Sequence, residues 1–113
     1  MFDSVTSRAL TSALDGLAAR QNAIADNLAN ISTPNFHARR VQFESALADS
    51  VRRGDGAAEA SAARSLEPTR LNGNNVNTDT ETLSNADTVL RYQFAAQSLT
   101  SQFTNVRTAL RSA

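Results

Sequence analysis

With 113 residues and eleven arginines balancing eleven carboxylates, the chain has room for one domain and no net field to attract nucleic acid or an anionic membrane. Of its 46 apolar residues 20 are alanine, so the core must be thin, and a thin core usually needs a partner or an oligomer. Having no cysteine excludes disulfide scaffolds, thiol catalysis and Cys-based zinc sites, and no apolar run approaches the ~18 residues of a membrane span.

Residues 4–32 read as a first long helix. Leu10, Leu14, Leu17, Ile24, Leu28 and Ile31 are spaced 4-3-7-4-3, and Gln21 fills the gap to give a heptad seam with one polar member. Asp3 or Ser4 can cap its start. Gly16 lies inside it, at a cost of up to ~1 kcal/mol against alanine. The helix must stop before Pro34, which pushes Thr33 out of helical geometry.

Residues 33–77 read as a turn followed by an irregular, flexible connector. In Ser32-Thr33-Pro34-Asn35-Phe36, Asn35 suits a left-handed backbone position. Asn27 and Asn30 either brace that turn by side-chain hydrogen bonds or mark a fraying helix end. Residues 41–53 alternate first (Val41, Phe43) and then take helical spacing (Leu47, Val51). Residues 57–64, AAEASAAR, have helix propensity but no large apolar face. Gly54, Gly56, Gly73, Pro68 and the asparagine run 72–77 make 54–72 flexible when the protein is alone.

Residues 78–112 read as the second long helix. Val89, Tyr92, Ala96, Leu99, Phe103, Val106 and Leu110 keep 3-4 spacing without a break, and Leu83, Leu90 and Phe94 widen the stripe. Thr78 and Glu81 have the form of a capping box. The expected fold is therefore all-α: two long helices pairing as a coiled-coil-like hairpin across a long connector. Part of the second stripe is wider than one partner helix needs, so it is expected to bind neighbouring subunits as well.

No enzyme constellation is present. Leu71-Asn72-Gly73-Asn74-Asn75 lacks the lysine and spacing of a phosphate loop. Asp15 and Asp26 have no acid/base partner near them in sequence, and they read as solvated face residues. The single histidine, His37, has no orienting carboxylate beside it and cannot alone build a metal site. Arg39-Arg40 and Arg52-Arg53 are interspersed with Glu44, Asp49 and Asp55, and read as surface ion pairs or a protein contact, not as a nucleic-acid site. No catalytic, metal or cofactor residue is assigned.

The stretch from Ala25 to Phe36 resembles the N-terminal signature of the flagellar rod and hook axial proteins, A-x-N-x-A-N-x-x-T-P-G-Y. Asn27, Asn30, Thr33 and Pro34 match it. Asn35 replaces the usual glycine, Phe36 the usual tyrosine, and His37 stands where lysine is common. Asn72–Asn77 resembles the D-G-N-N-V-D element of the B-type proximal rod subunits, with Asn72 and Asn77 in place of aspartates. Leu90-Arg91-Tyr92-Gln93 and Val106–Leu110 resemble two further elements of that type.

The resemblance implies a structural subunit of the bacterial flagellar basal-body rod, which self-assembles in a helical array with other rod proteins into a torque-transmitting shaft. It implies contact with the adaptor that joins the rod to the membrane ring, no enzymatic activity and no direct membrane insertion. The start of the chain lacks a Sec-type signal, and the resemblance implies export through the flagellum's own type III apparatus to the periplasmic rod. The rival reading is a small secreted helical hairpin of a type VII-like system. Its turn carries Trp-x-Gly, and this chain has no tryptophan.

Overall fold

The structure, a computed structural model, describes residues 4–112. The elements in chain order are α1 (Val5–Ala29), β1 (Arg39–Gln42), α2 (Glu44–Arg52), β2 (Ser61–Arg64) and α3 (Thr78–Ser112). They form an elongated body of 66 × 25 × 15 Å.

Helix α1 is capped by Ser4, whose Oγ accepts from the Ser7 amide at 3.1 Å. The alternative cap, Asp3, lies outside the described residues. The helix ends at Ala29, and Asn30 closes it: its Nδ2 donates to the Asp26 carbonyl at 2.8 Å. Helix α3 begins differently from expectation. The cap is Asn77, whose Oδ1 accepts from the amides of Asp79 and Thr80 at 3.0 and 3.2 Å. The Thr78–Glu81 capping box does not form, because the Glu81 carboxylate turns inward to other partners.

The two long helices run antiparallel and make the most extensive contact in the chain. Asn27 meets Glu81 and Leu17 meets Ala95, so α1 descends as α3 ascends. The core cluster is Leu17, Phe43 and Ala95, flanked by Leu10, Ala13, Leu14 and Leu47. Gly16 explains its place here. The Phe43 ring lies on the bare helix backbone, and a Cβ on Gly16 would come 2.5 Å from it. Arg20 lies over that ring as well, 4.9 Å from its centroid, and binds Glu44 and the Val41 carbonyl.

The fold is mostly helical but not all-α. The ambiguous stretch 41–53 resolves into both of its signals: β1 takes the alternating part and α2 the helical part. Strand β2 pairs antiparallel with β1, Arg39 opposite Arg64 and Gln42 opposite Ser61. Residues 61–64 thus form a strand against their helix propensity. A helix there has no apolar face to bury, whereas β1 offers unpaired backbone groups. The α2–β2 loop is tied to α1 through Ser12, whose Oγ donates to the Gly56 carbonyl and accepts from the Ala58 amide, both at 3.2 Å.

The coiled-coil expectation also needs correction. The buried line of α3 is Glu81, Thr88 and Ala95, a seven-residue repeat that is mostly polar. The apolar seam from Val89 to Leu110 is rotated about 50° from that line, at about 100° per residue. Leu83, Leu90 and Phe94 do not widen the seam. They lie on the opposite side of the helix, each about two-thirds exposed or more.

Candidate functional site

The site is the junction where α1 ends, the connector returns and α3 begins. The chain leaves α1 through Thr33–Phe36, where the Phe36 amide donates to the Thr33 carbonyl at 3.3 Å. Pro34 holds the second position, and Asn35 takes φ 62° in the third. A proline followed by a positive φ is the pattern of a type II turn. Asn35 thus adopts the left-handed backbone expected of it. Thr33 Oγ1 donates to Asn30 Oδ1 at 3.1 Å, so Asn30 braces the turn as well as closing the helix.

Asn27 is fully buried and uses its whole amide. Its Oδ1 accepts from the Arg39 amide at 2.9 Å, and its Nδ2 donates to the Arg39 carbonyl at 3.0 Å. The side chain thereby pairs with the peptide of β1 as a neighbouring strand would. The same Nδ2 lies 3.2 Å from both oxygens of Glu81. Glu81 is itself fully buried and takes an ion pair from Arg40 at 2.5 Å. Arg40 reaches Glu67 as well, at 3.3 Å. One carboxylate therefore joins α1, β1 and α3.

The asparagine run holds the other side of the junction. Asn74, fully buried, donates from Nδ2 to the carbonyls of Asn30 and Thr33, both at 2.8 Å. Its Oδ1 accepts from the Val76 amide and from Arg70. Asn75 accepts from the Ala38 amide at 2.7 Å and donates to Ser65 and Glu67. The Asn35 amide donates to the Asn72 carbonyl at 2.9 Å. Arg70 spans the gap, donating to the carbonyls of Ile31 and Val76 at 2.9 and 2.6 Å. Among the described residues, no buried side-chain N or O is left without a partner.

Of the motif residues, Asn27, Asn30, Thr33, Pro34 and Asn35 converge here, and Phe36 is half-buried beside them. Arg70 has no signal in the sequence, and Arg40 and Glu81, read there as a surface pair and half of a capping box, give no sign of the partners they take, which lie far along the chain. Asn74 and Asn75 are part of a legible run whose targets are not legible. Arg39–Arg40 faces this junction, and Arg52 pairs with Asp49 at 2.8 Å.

The seam residues divide. Leu17 and Ile24 are buried, Leu10 and Leu14 are half-buried against the core cluster, and Ile31 lies past the end of α1. Leu28 is near the surface, and Gln21 is exposed. On α3, Val89, Ala96, Leu99 and Val106 are half-buried, while Tyr92, Phe103 and Leu110 are exposed. No group of metal-ligating side chains forms among the described residues, and none of their helices is long and apolar enough to cross a membrane.

Residues 8–37, which cover most of α1 and the turn, match the family described as flagella basal body rod protein. The chain is 31% identical to the flagellar basal body rod protein FlgB of Escherichia coli (strain K12), over 88% of each chain. It is 29% identical to FlgB of Bacillus subtilis (strain 168), over 95% of this chain and 94% of that one. A shorter stretch of 34 residues is 56% identical to FlgB of Borreliella burgdorferi. That last match covers 30% of this chain.

Proposed function

We infer the role of this chain from its family: it belongs to the FlgB family of flagellar basal body rod proteins, and it is a structural subunit of the proximal rod. The type VII-like alternative finds no support in these relatives. The chain's work is mechanical and non-enzymatic, and it acts in the flagellar basal body. It joins other rod proteins, further copies of itself and the adaptor that connects the rod to the membrane ring. It reaches the periplasm through the flagellar export channel.

The observation that carries this reading is the pair of apolar faces on α3. One is the seam from Val89 to Leu110, beside the line that packs on α1. The other holds Leu83, Leu90 and Phe94, about 130° round the helix from Thr88 and Ala95, and is exposed. A helix with apolar residues on two sides is ordinarily buried on both. We assign the outer face, together with the exposed seam residues Tyr92, Phe103 and Leu110, to contacts between subunits. Leu10, Leu14, Leu17, Ile24, Val89, Leu99 and Val106 serve mainly the pairing of α1 with α3. Such contacts between unlike surfaces propagate into a helical array instead of closing.

The test is a strain lacking this chain, complemented with Leu90→Asp or Phe94→Asp. Both variants should fold with wild-type helix content, because both sites are exposed in the monomer. Neither should restore swimming or complete basal bodies. Normal swimming with both variants would remove the outer face from the assembly.

A further inference from the structure

Asn72 is the one asparagine of the ten in the chain that glycine follows. Glycine has no side chain to hinder the approach of its own amide nitrogen to the preceding asparagine. We infer that Asn72 is a site of spontaneous deamidation, and that the folded junction holds the reaction back. In the reaction the Gly73 nitrogen loses its proton and attacks Cγ of Asn72. A C–N bond forms, the side-chain nitrogen leaves as ammonia, and a five-membered succinimide remains. Water then opens the ring at either carbonyl to give aspartate or isoaspartate. No oxidant, metal or enzyme is required.

Three features of the fold oppose the attack. The Gly73 amide donates to the Arg70 carbonyl at 2.9 Å, so its proton is engaged. Asn72 Oδ1 accepts from the Asn74 amide at 3.1 Å, which fixes the side chain in an Asx turn. Asn35 lies against the α-carbon of Gly73, leaving no room there for even a methyl group. Asn72 itself is exposed, so the protection comes from the turn's hydrogen bonds and packing and not from exclusion of water. The unfolded chain has none of these restraints.

The two products have unequal consequences. Aspartate keeps an oxygen for the Asn74 amide and leaves the main-chain carbonyl where the Asn35 amide reaches it. Isoaspartate inserts a methylene into the backbone and displaces that carbonyl. The first product is compatible with the junction, and the second disrupts its tie to the turn.

The full chain should be incubated near neutral pH in native buffer and in concentrated urea. Trypsin then releases Leu71–Arg91, and fragmentation locates the amide-to-acid mass change among its five asparagines. In urea, Asn72 should be lost before any other asparagine. In native buffer its loss should be at least about tenfold slower, the factor that a local opening costing ~1.4 kcal/mol imposes. Asn72→Asp should keep the wild-type urea midpoint, and chain enriched in isoaspartate should have a lower one. Equal rates in the two buffers, or another asparagine reacting first in urea, would overturn the inference. A lowered midpoint for Asn72→Asp would overturn the assigned difference between the products.

Discussion

The side-chain amide of Asn27 lies 3.2 Å from both carboxylate oxygens of Glu81, 54 residues later, and both side chains are fully buried. A carboxylate in that position is tolerated only with a complete set of donors. Asn27 supplies one and Arg40 supplies the charge. Seven buried apolar residues and seven buried polar ones share the interior of the described chain, so such ties weigh as heavily as apolar packing.

Removing Arg40 should therefore expose the cost of Glu81. Arg40→Ala leaves the buried carboxylate without its counter-charge, and such losses run at ~3–5 kcal/mol. The guanidinium side chain is partly exposed, so the lower end applies here. Glu81→Gln in the Arg40→Ala background should recover part of the loss, since it removes the unpaired charge. Urea denaturation measures both. An Arg40→Ala midpoint equal to wild type would show that the pair contributes nothing.

Asn35 offers a sharper contrast between two substitutions at one position. Its φ of 62° suits glycine and strains a β-branched residue. Asn35→Val should lose ~1–3 kcal/mol, and Asn35→Gly should stay close to wild type. Thermal melts separate the two outcomes. Equal stability of both variants would mean that the turn can rearrange without cost.

Gly16→Ala should destabilise, although alanine is the better helix former by ~1 kcal/mol. The added methyl would meet the Phe43 ring at 2.5 Å, and Arg20 also packs on that ring, 4.9 Å from its centroid. Overpacking of this kind costs ~1–3 kcal/mol. Combining Gly16→Ala with Phe43→Leu should be less harmful than adding the two single effects. Additive effects in chemical denaturation would separate the glycine from the ring.

The parts of this structure that were legible in the sequence are those with a period or a local steric rule. Leu17 and Ile24 stand at their seam positions, and Asn35 follows from the proline before it. The inward line of α3 was not legible, because Glu81 and Thr88 are polar and periodicity counts only apolar residues. Strand β2 was hidden by alanines whose intrinsic preference is helical; only its neighbour β1 makes it a strand. The notch at Gly16 depends on a ring 27 positions away. The junction is built from amides whose acceptors lie in other segments, and hydrogen bonds between distant segments leave no pattern in a single sequence.

The antiparallel register has a mechanical consequence. The junction of Asn27, Glu81, Asn74 and Arg70 clasps one end of the body, while α3 past Ala95 has no buried residue among those described. The pair of long helices is built like tongs with a riveted hinge and loosely closed tips. Separation should start at the tips and travel toward the hinge, so hydrogen exchange should be fastest in the last turns of α3 and slowest around Thr88. In a shaft, neighbours that grip the tips would turn a hinged pair into a strut.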